Sequence, residues 1–329
     1  MFFINPFKGL RPTKENASSV TIASTDHLSE DMKSDLLKKN PWSYLNVFNA
    51  EDQKKSKKQF ELMKEKSIIK KDKNLSFYFY KISKENFSQV GIVGTAKLSA
   101  YDNLHIRGHE EIFFERSQKR MKQMDNLNAQ IGPIYAVYPD NKMLNDLVEN
   151  ELIKPSVYSF EGMDKSKHEM WVVDEEKKIS QICDLFNTIN RIYIADGHHR
   201  MDALLKLSKI KQHQNANHTG GEAYNFFMIA IFPTSQARIL DYNRLIKDLY
   251  GYSPNDFINE VKKKFKVEKQ NSSYKPKKPQ VFGMYLEKQW YSLELKEKPH
   301  QNLFHIINLD INLLHYYLLE PTLGIGDPR

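Results

Sequence analysis

Ile192-Tyr193-Ile194-Ala195-Asp196-Gly197-His198-His199-Arg200-Met201-Asp202-Ala203-Leu204-Leu205 is the stretch on which the reading of this chain turns. A short apolar run ends at Asp196-Gly197. Two histidines and an arginine follow, and then Met201, Leu204 and Leu205, with Ala203 beside them, fall on one helical face. The spacing predicts a strand, a tight turn and a helix, with the polar cluster at the helix N-terminus. First-turn N–H groups have no partner within a helix and carry partial positive charge. Gly197 lets backbone approach a ligand closely, and Arg200 can fork onto phosphate or carboxylate oxygens. Asp196 is expected to cap the helix. The stretch therefore reads as an anion site suited to phosphate, with amides and Arg200 holding the anion and His198 or His199 donating to it.

Working outward, 329 residues suffice for one large domain or two ordinary ones, and an apolar share of 40% supports a real core. No apolar stretch reaches the eighteen or so residues of a membrane span. The N-terminus, with Pro6, Gly9 and Pro12, has no signal-peptide pattern. These features predict a soluble, cytoplasmic protein. Cys183 is the only cysteine, which excludes an intrachain disulfide and a cysteine zinc site. It is expected to be a buried, inert thiol. The formal charge of +8 comes largely from residues 54–73 and 262–278. The first run mixes acids and bases at helical spacing, and the second ends in a Ser/Pro/Lys loop. Both read better as solvated surface than as nucleic-acid contacts, and no helix-turn-helix is apparent.

Along the chain, the opening forty residues read as irregular apart from a short helix starting near Ser29. Residues 42–48 read as a strand or extended segment and 51–68 as a charged helix. Residues 76–82 and 89–98 pattern as two strands. Helices are expected at 111–130, 143–150, 175–190, 254–265 and 311–319, and from Leu245. Strands are expected at 134–138, 169–173, 191–195, 226–232, 238–241, 281–286 and 290–295. After Leu319 no closing element is expected. The alternation predicts an α/β (α+β) fold, with mixed sheets and flanking helices. The expected division is a main α/β domain over 1–250 and a smaller α+β segment over 251–329. No Gly-rich dinucleotide or phosphate-loop motif occurs.

A second polar cluster, Arg107, His109 and Glu110, precedes the 111–130 helix. Glu110 can act as general base or magnesium ligand, and His109 as proton shuttle or phosphate donor. A solvated loop before a helix explains them equally well. Arg120 can reach the same pocket or be an ordinary surface arginine. Arg244 suits an anion contact or a structural salt bridge. Asp26 suits a metal or catalytic role, or a helix cap. His109, Glu110, His198 and His199 are also metal-ligand types. Adjacent histidines on a helix point about 100° apart, however, so a nucleotide-borne magnesium held by Glu110 or Asp196 ranks above a dedicated transition-metal site.

The chain resembles the family known as domain of unknown function 1015. The resemblance rests on Asn5-Pro6-Phe7-Lys8-Gly9-Leu10-Arg11-Pro12, Asn40-Pro41-Trp42-Ser43-Tyr44-Leu45, Ile106-Arg107-Gly108-His109-Glu110, Gln130-Ile131-Gly132-Pro133, Ala195-Asp196-Gly197-His198-His199-Arg200 and Leu240-Asp241-Tyr242-Asn243-Arg244. The family's Pro-Pro-Tyr-Asp near the start is represented only by Asp26, and its Thr-His-Arg by Tyr242-Asn243-Arg244. The family runs on past Arg329, which predicts a C-terminally truncated chain.

The Asp-Gly-His-His-Arg turn also resembles the phosphate-contacting box of the ParB/sulfiredoxin-like superfamily. That likeness implies a nucleotide-binding core for ATP or another nucleoside triphosphate with Mg2+. It makes Asp196, Gly197, His198, His199, Arg200, Arg107, Arg120 and Arg244 the expected binding residues. Glu110, His109, His198 and Asp26 become the expected catalytic ones. The activity it points to is phosphotransfer to a small metabolite such as a free amino acid. The alternatives are a ParB-like nucleotide-dependent, DNA-associated regulator and a metal-dependent hydrolase. Oligomeric state is not legible.

Overall fold

Runs rich in Val, Ile, Phe and Tyr become strands here wherever a turn lets them pair. The computed structural model describes residues 3–22, 29–48, 52–85, 87–109, 113–239, 241, 243–297 and 308–326. The chain falls into two compact units, Met1–Ile239 and Leu240–Arg329. In the first unit the strands are β1 (Ile4–Asn5), β2 (Leu10–Pro12), β3 (Ile69–Lys71), β4 (Phe77–Lys84), β5 (Phe87–Lys97), β6 (Ile106–Arg107), β7 (Ile134–Tyr138), β8 (Tyr158–Glu161), β9 (Lys167–Val173), β10 (Ile192–Asp196) and β11 (Phe226–Pro233). β2 and β3 form a separate ribbon. The others make one mixed sheet in the order β6-β10-β7-β11-β5-β4-β9-β8, with β1 also on β5. β4 covers residues 87–93 of β5 and β1 covers 95–96 on the same side, while β11 covers 92–97 on the other. At the far end β10 is parallel to β6 and antiparallel to β7.

The sheet's inward residues, Phe77, Phe79, Ile92, Ile134, Ile194 and Ile229, are almost wholly buried. They join Leu144, Ile182, Phe186, Met201 and Ala203 from the helices in one core cluster. Burial of each large side chain contributes roughly 1.5–3 kcal/mol. The helices begin where short polar side chains cap them. Ser29 accepts from the Met32 amide at 3.2 Å before Glu30–Lys39. Asp52 accepts from Lys55 at 2.9 Å before Gln53–Glu65, and Asn141 accepts from Leu144 at 3.1 Å before Lys142–Leu152.

Several expectations are corrected. Residues 42–48 are not a strand: the Asn40 side chain accepts from the Trp42 amide at 3.1 Å and Ser43 Oγ from Leu45 at 3.3 Å. These local bonds turn the chain into the short helix Leu45–Phe48. The opening is not irregular throughout. Arg11 donates to Asp72 at 2.8 Å and to the Tyr158 hydroxyl at 2.6 Å, and Tyr78 donates to Asp72 at 2.8 Å. The Gly9 amide donates to Tyr78 Oη at 2.7 Å, and a Cβ on Gly9 would lie 2.6 Å from that oxygen. The Asn5–Pro12 motif is thereby knitted to the sheet.

The strand expected at 238–241 and the helix expected from Leu245 do not form among the described residues. Ile239 and Leu245 are fully exposed, so neither anchors an element through its side chain.

In the second unit Pro254–Lys264 is a helix capped by Ser253, and β12 (Phe265–Gln270), β13 (Val281–Leu286) and β14 (Gln289–Leu295) form an antiparallel sheet in the order β12-β14-β13. Strand β12 hides in the lysine-rich run, where Phe265 faces the core and Lys266 faces outward. Helical turns continue from Asp310 through a π-helical turn, His315–Leu319, to Glu320–Leu323. The chain thus does form an element after Leu319, because Leu323 is buried with Phe257, Val261 and Leu293. No helix among the described residues is long and apolar enough to cross a membrane.

A titratable group sits in the hairpin between β8 and β9. His168 Nδ1 meets the Tyr80 hydroxyl at 2.8 Å and Nε2 meets Ser166 Oγ at 2.8 Å, with Phe160 stacked on the ring at 5.3 Å. Burial lowers the His168 pKa below its ordinary 6.5, with Asp164 opposing. The unfolded chain therefore binds more protons than the folded one just below that value, and stability falls as pH falls through it. The melting temperature is expected to drop between about pH 7 and pH 5. A His168→Gln variant should show a shallower slope in thermal unfolding followed by circular dichroism.

Candidate functional site

Strand β10 ends at Asp196 and the helix His198–Gln214 starts two residues later, so the whole reversal falls on Gly197. Gly197 has φ +103°, and a Cβ there would lie 3.0 Å from Arg200 Nε and Nη2 and 3.1 Å from Ile134 Cδ1. Gly197 is the helix N-cap, and its carbonyl accepts from the Met201 amide at 2.9 Å. Among the described residues no side chain caps this helix. The expectation that Asp196 would do so is corrected. The left-handed step takes its carboxylate away from the first-turn amides. It accepts instead from Arg200 Nη2 at 2.6 Å, with the Asp196 side chain 75% exposed.

Arg200 folds back over the turn into space left by a second glycine. Gly132 has φ +76°, and a Cβ on it would come within 2.8 Å of Arg200 Nη1. In the sequence, Gly132-Pro133 signals only the end of a helix. Here the glycine is also the floor under the guanidinium.

The Arg107–Glu110 cluster does come to the turn. Arg107 on β6 is the ladder partner of Tyr193 on β10. The next residue, Gly108, is packed tightly: a Cβ on it would lie 3.1 Å from both His198 Cδ2 and Tyr101 Oη. The His109 amide donates to His198 Nε2 at 3.2 Å, and the two rings meet edge to face at 4.6 Å. The Phe113 amide donates to His199 Nε2 at 3.1 Å, and those rings stack at 5.6 Å. The two adjacent histidines thus hold the two ends of one loop.

An Nε2 that accepts an amide proton has no proton of its own to donate. This gives both histidines a task other than donating from Nε2 to phosphate. His198 is buried, whereas His109 is exposed at the rim. Glu110, expected as base or magnesium ligand, and Asp26 lie outside the described residues.

Behind the turn, the helix Phe114–Leu127 packs on His198–Gln214. Ser117 donates to Asp202, and Lys206 donates to Asp202 at 2.6 Å while lying over Phe114 at 5.0 Å. Arg120 projects from the same helix with its guanidinium 4.2 Å from the Phe48 ring. Tyr44 carries no role in the residue-level reading, yet Arg120 and Arg200 are the two charges that act on its hydroxyl. Burial pushes that hydroxyl's pKa well up, and both arginines pull it partly back. Arg244 belongs to the second unit, outside the unit that carries the turn.

Among the described residues no group of three His, Cys, Asp or Glu side chains is placed to hold a metal. Asp196 fits as a single carboxylate ligand of the kind a phosphate-borne magnesium takes. Cys183 lines a separate cleft of about 690 Å3 with Lys8, Lys73 and Glu176. The cysteine is buried, and burial pushes its thiol up to about 11.

The model of one family, described as a protein of unknown function (DUF1015), matches residues 4–312. No curated protein and no solved structure matches the chain.

The turn depends on a glycine at 197 for both its backbone and its space. A Gly197→Ala substitution is expected to destabilise the first unit by about 1–3 kcal/mol through left-handed strain and displacement of Arg200. Urea unfolding of the full chain measures the loss.

Proposed function

The chain belongs to the DUF1015 family, and from that premise we propose that it binds a nucleoside triphosphate at the Asp196–Arg200 turn and transfers the terminal phosphoryl group to a small metabolite such as a free amino acid. The observation that carries this reading is the Arg200 guanidinium, held over Gly132 and Gly197 beside a helix N-terminus that no described side chain caps. Helix-terminal amides and a fixed, forked cation are the two elements from which phosphate sites are built. The likeness of the turn to the ParB/sulfiredoxin-like phosphate box supports the same ligand class.

Phosphoryl transfer asks mainly for positioning and charge neutralisation. A substrate hydroxyl oxygen attacks the terminal phosphorus, the bond to the nucleoside diphosphate breaks, and the hydroxyl proton passes to a base. His109, exposed beside the buried His198, is the described residue suited to take that proton. Glu110 is its neighbour in sequence. Magnesium, when bound with the nucleotide, would neutralise phosphate charge, and Asp196 is the described carboxylate suited to it.

The DNA-associated reading draws less support. Within the basic run, Lys263, Lys264, Lys266, Lys275 and Lys278 each pair with a carboxylate.

Calorimetric titration with ATP and with CTP, each with magnesium, tests the proposal. Wild-type protein is expected to bind at least one of them. Arg200→Ala should weaken it roughly ten- to hundredfold, the worth of a charge-assisted hydrogen-bond pair. Incubation with γ-labelled nucleotide and an amino-acid mixture should then yield a labelled product. Absence of any nucleotide binding by wild-type protein would overturn the reading.

A further inference from the structure

The 690 Å3 cleft opens where the segment after β1, the segment before β4 and the helix Glu176–Thr188 meet. Two of its walls are backbone segments pinned together. Phe7 and Ser76 exchange amide-to-carbonyl bonds of 3.0 Å, and the Asp72 amide donates to the Gly9 carbonyl at 2.9 Å. Lys8 and Lys73 stand between these pins, and both line the cleft. Asp174 follows β9, whose Val173 pairs with Phe77 of β4. Its carboxylate accepts from Asn74 Nδ2 at 3.0 Å, which ties it to the segment that carries Lys73. The remaining wall is helical. Glu176, Ile179 and Cys183 line the cleft at the i, i+3, i+7 spacing of one helix face, with Cys183 buried.

The charges in this cleft differ from those beside it. On the same helix Lys178 pairs with Glu151, and with Glu175 at 3.0 Å. Two lysines and two carboxylates line the cleft, yet among the described residues none of Lys8, Lys73, Asp174 and Glu176 makes an ion pair. Leu75 adds a large apolar side chain left 52% exposed, and Ile179 a second one partly buried. A cleft of this size lies in the range of small-molecule sites, about 300–1,000 Å3. Its chemical complement is one small molecule that carries both signs of charge and an apolar part.

We propose that this cleft binds a free amino acid as its zwitterion. Lys8 and Lys73 donate to the ligand's carboxylate, Asp174 and Glu176 accept from its ammonium, and Leu75 and Ile179 take its side chain. The site is separate from the Asp196–Arg200 turn. In the sheet order β4 stands four places from β10, and β9 five. At about 4.8 Å per strand that is roughly 19–24 Å. An amino acid in the cleft is therefore a second ligand and not the acceptor of a phosphoryl group held at the turn. The inference stands whether or not a nucleotide binds there.

Thermal melts and calorimetric titration of the full chain with each of the common amino acids test the proposal. At least one is expected to bind and to raise the melting temperature. Its N-acetyl derivative lacks the ammonium and its carboxamide lacks the carboxylate. Each should bind at least about tenfold more weakly than the free amino acid. Lys73→Ala and Glu176→Gln should each weaken the free amino acid by roughly three- to tenfold. Lys71→Ala, on β3 and outside the cleft, should leave its affinity unchanged. All three side chains are exposed, and unliganded melts show that each variant folds.

Failure of wild-type protein to bind any amino acid would overturn the proposal, as would blocked derivatives that bind as tightly as the free form. Binding that survives unchanged in both Lys73→Ala and Glu176→Gln would place the amino acid elsewhere and overturn the cleft. ATP titrated in parallel is expected to respond to neither variant. Loss of ATP binding in Lys73→Ala would assign the cleft to phosphate instead. Absence of ATP binding beside intact amino-acid binding would overturn only the reading of the turn.

Discussion

The left-handed step at Gly197 is the constraint on which the site depends. It lets β10 turn directly into a helix, at a φ that a side chain tolerates poorly. One residue earlier the β10–β7 register shifts between Ile194 and Asp196, an irregularity that re-aims the strand end before the turn. The two features together put the helix N-terminus at the edge of the sheet and leave Arg200 room to fold back. Gly132 completes that room from the start of β7. A side chain at either glycine would press on the same guanidinium.

With the turn set, the two histidines acquire their places. His198 and His199 point in different directions from consecutive helical positions, as 3.6-residue geometry requires. That divergence lets them reach the two ends of one loop, His109 and Phe113, through amide-to-Nε2 bonds. A pair of histidines in sequence resembles a metal or proton-transfer device. In the fold their ring nitrogens satisfy backbone donors, which would otherwise cost about 1–3 kcal/mol each if buried and unpaired. The loop that carries His109 is thereby tied to the helix that carries Arg200. Ser117 and Asp202 tie in the helix that carries Arg120.

Much of this was legible in the residues. The hairpin of β4 and β5, strands β7 and β11 and the helices around Met121, Leu144 and Ile182 follow from apolar spacing alone. Short elements were not, because two or three residues carry no periodicity: β1, β2 and β6 exist only through partners distant in sequence. Strand β12 was hidden because its two inward apolar residues, Phe265 and Val267, alternate with charged ones inside a lysine-rich run. Local side-chain bonds at Asn40 and Ser43 overrode the strand-like composition of 42–48. In the site, the chemistry-bearing residues Arg107, His109 and His198–Arg200 were legible by type. Their contacts were not. Asp196 looked like a cap until a glycine took that position.

The charges around the turn are held in two different ways. A partly buried guanidinium needs compensation for its charge. Arg120 lies on the face of Phe48 and donates to the amide oxygen of Gln123, both of which orient it. For Arg200 the compensation is Asp196, an ion pair with one largely exposed partner. Pairs of that kind contribute about 0–1 kcal/mol. An exposed carboxylate therefore balances Arg200 without committing it: exchange of that oxygen for a ligand's would cost the fold little. Packing against Phe48 and over Gly132 thus sets the direction of both guanidiniums before any charge is balanced.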